Sequence, residues 1–191
     1  DHQDIYACRQ TGITMVCSHS VQEIADLAPM AHLIAIESSA PVMHFFDGFR
    51  TSHEIQNVEF VDEAEYKKLL PMEKVEEFRA RALNPHTHPV TRGGAENDDV
   101  YFQGREAQNA HYNKVVEIAE KYFKEAERLT GSHYAPFTYY GDPKAERVII
   151  AMGSVTETAI EVIDELAKEG EKVGVVKVHL YRPFSAKHLE S

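Results

Sequence analysis

The amino-acid order predicts an α/β fold made of two mostly parallel βαβ units joined by a helical extension. Three observations carry this expectation. Residues 13–46 run from a short apolar strand through a helix start to a second apolar strand, residues 147–180 repeat that order, and residues 62–129 between them are spaced mainly as helix. Consecutive strands separated by a helix need a crossover, which pairs them in parallel and buries both faces.

ITMVC at 13–17 is rich in β-formers, and Ser20 followed by Glu23 is a capping box that opens a helix. Val21, Ile24, Ala25, Ala28, Ala31 and Ala35 then recur at three- and four-residue intervals to about residue 36, although Pro29 removes one donor and should kink or split the helix. VMHFF at 42–46 is the next strand, ended by Asp47 and Gly48. Two helical segments follow over 62–83, the first opened by Asp62 and ended by Pro71, the second with Val75, Phe78 and Leu83 on its apolar side. NPHTHPVTRGGAENDD at 84–99 loses all periodicity and reads as a long surface loop or arm. A helix is expected from about Glu106 to Leu129, supported by the i,i+4 pairs Glu117/Lys121 and Glu120/Lys124 and stopped by Gly131. After an aromatic, Pro- and Gly-containing link at 132–146, RVIIAMGS at 147–154 reads as a buried strand. Ser154 and Glu157 cap a helix with Ala159, Ile163 and Leu166 inside, Gly170 ends it, and VGVVKVHL at 173–180 is the closing strand.

Composition excludes several classes. A net charge of −11 opposes binding to nucleic acid, whose affinity rests on Lys and Arg. No run approaches the roughly 18 apolar residues that span a bilayer, and no leader pattern is visible, so a cytoplasmic, membrane-free protein is expected. Cys8 and Cys17, the two cysteines, fit neither zinc nor iron–sulfur spacing, and a disulfide between them is not expected. The chain starts at Asp1 without Met and stops just after a strand-like run, so both ends read as cuts.

In open α/β sheets ligands collect beyond the carboxyl ends of strands, which directs attention to DGFRTSHE at 47–54, GSVTE at 153–157 and YRPF at 181–184. The first packs two carboxylates, a guanidinium, two hydroxyls and an imidazole into eight residues, enough to orient an anionic ligand. Its plainer reading is a turn at Asp47 and Gly48, with Thr51 or Ser52 capping a helix through Glu54. Gly153 and Ser154 resemble half of a phosphate-cradling turn, with helix capping as the ordinary alternative. Asp1, His2 and Asp4 form an acid–base cluster or a structural hydrogen-bond network. His86 and His88 form a His-x-His pair in the least structured segment, without partners at ligand spacing, so no metal site is expected there.

DHQDIYACRQTG at 1–12, FFDGFRTSHEIQ at 45–56, LNPHTHPVTRGGAENDDVYFQGREA at 83–107, AERVIIAMGS at 145–154 and VKVHLYRPF at 176–184 together resemble, in order and over essentially the whole chain, the multidomain pyruvate:ferredoxin (flavodoxin) oxidoreductases. That resemblance implies a parent enzyme converting pyruvate and coenzyme A to acetyl-CoA and carbon dioxide. It would use thiamine diphosphate, Mg2+ and [4Fe-4S] clusters, pass electrons to ferredoxin or flavodoxin, and act as a homodimer. It also implies that residues 1–60 are the latter part of the pyrimidine-facing thiamine-binding domain, 61–133 a helical extension with an arm loop, and 134–191 the start of a domain similar to the transketolase C-terminal domain. The family's glutamate for the aminopyrimidine and its arginine for pyruvate would lie before Asp1, and its magnesium–diphosphate motif and cluster cysteines beyond this chain. No catalytic residue, metal ligand or complete cofactor site is therefore expected within these residues. Asp1, His2, Asp4, Arg9, Gln10, Asp47, Arg50, Thr51 and His53 are the expected supports of a substrate and cofactor cleft. Two further readings stand beside this one: another thiamine-dependent 2-oxoacid oxidoreductase or transketolase-like enzyme, and a docking module using 84–99 and the following helix as an arm.

Overall fold

The protein is described here by a computed structural model, which covers residues 2–90 and 94–191. It is an α/β structure with two three-stranded sheets. A short helix α1 (Gln3–Cys8) leads through a tight turn to β1 (Thr14–Cys17), α2 (Val21–Ser38) and β2 (Val42–Phe45). β1 and β2 pair in parallel from Thr14↔Val42 to Cys17↔Phe45, the expected crossover unit. Every residue of β1 is buried. The period of two sends Val16 into a core under α2, and Met15 and Cys17 into a smaller cluster with Ile5 and Phe45.

α2 begins as its capping box requires at one end only. The Ser20 hydroxyl accepts from Glu23 N at 3.2 Å, but the Glu23 carboxylate turns to His19 N at 2.8 Å rather than to Ser20 N. Pro29 lies inside one uninterrupted helix, so of the expected kink or split the split does not occur. The helix buries Leu27, Met30 and Ile34 against α6 (Val115–Thr130), which contributes Ala119, Tyr122 and Phe123. Lys121 does not pair with Glu117 as expected. It reaches across to Glu37 of α2 at 2.6 Å, where the Tyr122 hydroxyl also donates, while Lys124 and Glu120 form the predicted pair at 2.7 Å.

Between these elements lie α3 (Glu63–Leu69), α4 (Met72–Ala80) and α5 (Asp98–Tyr112). Asp62 caps α3 at Ala64 N, as read from sequence. Phe78 and Leu83, expected on a buried side, are instead 67% and 66% exposed. The helix expected from Glu106 starts at Asp98, where two aspartates favour the positive helix end, and breaks at Asn113–Lys114 before α6.

The second sheet holds β3 (Phe137–Gly141), β4 (Arg147–Ala151) and β5 (Val173–Val178) in the order β3-β5-β4, with α7 (Val155–Lys168) packed on it. β4 is parallel to β5 as expected, but β3 lies inside the presumed link and is antiparallel to β5. β4 is an exposed edge strand rather than a buried one, with Ile149 and Ile150 more than half exposed. The predicted closing strand is divided at His179. Beyond it, β6 (Leu180–Arg182) leaves the second sheet and pairs antiparallel with β1 in the first, so each sheet combines one parallel and one antiparallel pairing. His179 N and Leu180 N both donate to Pro136 O at 3.0 Å, which fixes the corner. A four-residue helix, α8 (Ala186–Leu189), follows β6. No described helix is long and apolar enough to cross a membrane.

Phe123→Ala, which opens a cavity between α2 and α6, is expected to lower the unfolding free energy of the 191-residue chain by about 3–5 kcal/mol. Phe78→Ala should cost less than about 0.5 kcal/mol. Paired urea titrations followed by circular dichroism measure both, and equal losses would contradict this placement of the core.

Candidate functional site

The carboxyl ends of β2 and β4 meet. After β2 the chain runs through Phe46 into Asp47, and after β4 through Met152 and Gly153 into Ser154 at the start of α7. The Asp47 carboxylate accepts from Ser154 N at 2.5 Å through one oxygen, and the other lies 2.7 Å from His2 Nε2. The expected Ser154 cap therefore does not form: the Ser154 hydroxyl makes no capping bond, and a carboxylate 107 residues earlier in the chain takes its place. Gly153 allows this approach. Its φ is +87°, and a Cβ there would lie 2.6 and 2.8 Å from the two Asp47 oxygens and 2.9 Å from His2 Cε1. Burial opposes the Asp47 charge, but the hydrogen bonds from Ser154 and the electrostatic attraction of His2 outweigh it and hold the carboxyl below its usual range.

A cavity of about 560 Å3 opens beside this junction, lined among others by His2, Asp4, His44, Phe45, Phe46 and Gly48. The His2 ring stands edge-on to Phe45 at 5.6 Å, and His44 Nε2 lies 2.7 Å from the Ser18 hydroxyl. Burial, with His32 nearby, pushes His44 down to about 4, so it is neutral at neutral pH and exchanges a single hydrogen bond with Ser18. Cys17 beneath is buried. Desolvation, with the charges of Asp47 and Glu23, pushes its thiol up and away from the reactive thiolate form, and both cysteines are free.

Of the residues expected to support a cleft, the structure brings His2, Asp4 and Asp47 together. Asp1 lies outside the described residues. Arg9, Gln10, Arg50 and His53 are exposed and do not line the cavity. Arg9 sits over the Tyr6 ring at 5.9 Å, and His53 stacks on Phe49 at 4.9 Å. Thr51 is buried at 4% exposure. Residues 48–53 form turns, with Ser52 N donating to Asp47 O, and the helix that Thr51 or Ser52 was expected to cap is absent. Sequence reading did not include His44 and Ser18 in the site; His44 lies on β2 and Ser18 directly follows the neighbouring β1, so the parallel pairing of those strands was the available signal.

The chemistry of this lining limits its ligands. A diphosphate needs cationic side chains or free helix N-terminal N–H groups. Among the described lining residues there is no lysine or arginine, and the α7 N-terminus is taken by the protein's own Asp47. Gly153–Ser154 is therefore a capped helix start and not a phosphate cradle. The larger groove, about 630 Å3, lies between the end of α2 and α4 and is mostly apolar, with no acid–base pair in its wall.

A second polar group is buried where β1 passes into α2. Glu23 Oε1 accepts from Lys177 at 2.9 Å, and its Oε2 faces His19 Nδ1 at 3.2 Å and His179 Nε2 at 3.4 Å. Burial opposes the charge, but His179, His19 and the ammonium of Lys177 keep this carboxyl ionised. One turn on, buried Asp26 accepts from the Tyr134 hydroxyl at 2.6 Å and from Gln22 at 2.8 Å. The sequence hides this group because Lys177 and His179 lie more than 150 residues from His19 and Glu23.

Residues 1–124 match the family described as "Pyruvate flavodoxin/ferredoxin oxidoreductase, thiamine diP-bdg", which defines the class as an oxidoreductase with a thiamine diphosphate-binding domain; residues 145–191 match "Pyruvate:ferredoxin oxidoreductase core domain II". The chain belongs to the pyruvate flavodoxin/ferredoxin oxidoreductase family. It is 54% identical to the pyruvate-flavodoxin oxidoreductase of Enterobacter agglomerans over 98% of this chain and 16% of that protein. It is 49% identical to the pyruvate:ferredoxin oxidoreductase of Moorella thermoacetica over the same shares, and 46% identical to a mitochondrial pyruvate dehydrogenase [NADP(+)] of Euglena gracilis over 99% of this chain and 10% of that protein. The chain thus spans about one sixth of the length of the first two relatives.

Asp47→Ala removes the cap of α7 and the partner of His2, and should cost about 1–2 kcal/mol near neutral pH. Because the folded pKa of Asp47 is depressed, its stabilisation is complete above the ordinary carboxylate range and is lost as pH falls through the folded value. Urea midpoints of the two proteins should converge as the pH is taken down through and below the ordinary carboxylate range. A gap that stays constant would show that the loss is not electrostatic.

Proposed function

We propose that the chain is one portion of a thiamine diphosphate-dependent pyruvate:ferredoxin (flavodoxin) oxidoreductase. The parent would convert pyruvate and coenzyme A to acetyl-CoA and carbon dioxide and pass electrons through [4Fe-4S] clusters to ferredoxin or flavodoxin. The observation that carries this reading is the 49–54% identity, over nearly the whole chain, to two proteins named for that activity. The thiamine would supply the carbanion that attacks the oxoacid. Residues 1–60 and 134–191 would serve as walls, with residues 61–133 as the extension between them. His2 and Asp47 hold the β2 and β4 ends in register and Phe45 and Phe46 exclude water, while the groups gripping diphosphate, Mg2+ and clusters come from elsewhere in the parent. Arg9, Gln10, Arg50, Thr51 and His53 would support the cleft from outside the cavity.

The full-length polypeptide should reduce a low-potential viologen only when pyruvate and coenzyme A are both present. Faster reduction with 2-oxoglutarate would replace this reading with that of a different 2-oxoacid enzyme. Calorimetry of the isolated 191-residue chain should detect no micromolar thiamine diphosphate binding.

A second reading concerns assembly. α5 has no buried residue, and Val100, Tyr101 and Phe102 are each more than half exposed on it, beside the segment 84–90. This segment and helix would clasp a second subunit of a homodimeric parent. Deleting residues 84–104 from the full-length protein is then expected to halve its mass by light scattering, whereas an unchanged mass would remove the arm from the interface.

A further inference from the structure

We propose that His19, Glu23 and His179 form a binding site for a divalent ion of the zinc type, acting as a structural clasp between the two sheets. His19 follows β1, Glu23 lies in the first turn of α2, and His179 is the single residue between β5 and β6. One ligand atom from each lies within 4.8 Å of the other two.

The hydrogen bonds dictate what occupies the space between them. His19 Nε2 lies 3.0 Å from Val178 O. A carbonyl only accepts, so Nε2 carries a proton, and Nδ1 is the atom that faces Glu23 Oε2, 3.2 Å away. A lone pair on Nδ1 at that distance from a carboxylate oxygen calls for a proton or a metal ion between them. His179, 1% exposed, offers Nε2 to the same oxygen at 3.4 Å, and among the described residues neither of its ring nitrogens has a hydrogen-bond partner. His19 is fully buried and its Nδ1 is likewise without a hydrogen-bond partner.

A proton on His19 Nδ1 bridges that one ring to the carboxylate and does not tie the two rings to each other. A metal ion satisfies both rings and the carboxylate together. Tetrahedral zinc with ligands at about 2.0–2.1 Å separates them by about 3.3 Å. The two imidazole–carboxylate separations, 3.2 and 3.4 Å, already match, and rotation of the tilted rings, 4.4 Å apart at their centroids, would close the third edge.

Two of the three ligands are also held from behind, as metal ligands are. Val178 O fixes the His19 tautomer, while Lys177 on Oε1 and His19 N on Oε2 orient the carboxylate. Two imidazoles and one carboxylate suit zinc, cobalt or nickel better than magnesium or calcium. The burial of the donors suits a structural role.

The test uses the full-length polypeptide, stripped with a mild chelator, incubated with zinc sulfate and desalted. The unaltered protein should retain about one more zinc per chain, by elemental analysis, than the His19→Gln/His179→Gln double variant, and zinc should raise its Tm but not the variant's. Zinc-edge absorption of the unaltered protein should show nitrogen and oxygen neighbours at about 2.0–2.1 Å with imidazole scattering. Equal zinc content in the two proteins overturns the proposal. If the double variant misfolds, the unaltered protein alone decides: no retained zinc, or a sulfur-dominated zinc shell, overturns it as well.

Discussion

The carboxylate of Asp47 is the constraint on which the arrangement of this chain depends. It ends the first parallel pair, caps α7 of the second sheet and faces His2 at the start of the chain. A helix N-terminus left without an acceptor costs stability, as does a partly buried carboxylate without donors, and each remedies the other here. Three distant stretches are thereby brought to one point, and the cavity beside them follows from that junction.

A second tie between the sheets runs through His179. Because one residue separates β5 from β6, the second sheet cannot slide without dragging the strand that pairs with β1. The Glu23 group sits at this corner. Its buried charge is compensated by Lys177 and the main chain rather than by solvent, and removing one partner from such a group costs more than the group contributes whole.

Local rules were legible in the sequence where the interactions are local. The β1–α2–β2 crossover, the Ser20 cap, Asp62 at α3 and the Gly131 stop all follow from residues within a few positions of one another. The same letters mislead at Ser154, because Ser-x-x-Glu looks like a capping box while a distant carboxylate takes the N–H. β3 was hidden in an aromatic, Gly-containing link because its pairing with β5 is long-range, and VGVVKVHL gives no sign that its last residues turn into another sheet. The strand-end rule is topological and pointed to Asp47 and to Gly153–Ser154, whose contact the structure shows; His2 and Asp4 came from the motif at the start of the chain. The histidines and glutamate at the corner were not found together, since no spacing links residue 19 to residue 179.

β4 leaves one consequence for anyone handling this chain by itself. Its outer edge carries unpaired main-chain groups beside Val148, Ile149 and Ile150, with no Pro in the strand and a charge only at Arg147. Such a border is a template for a further strand. In concentrated solution the separated piece will therefore tend to stack edge to edge, and dilution or a covering strand supplied in trans will keep it dispersed.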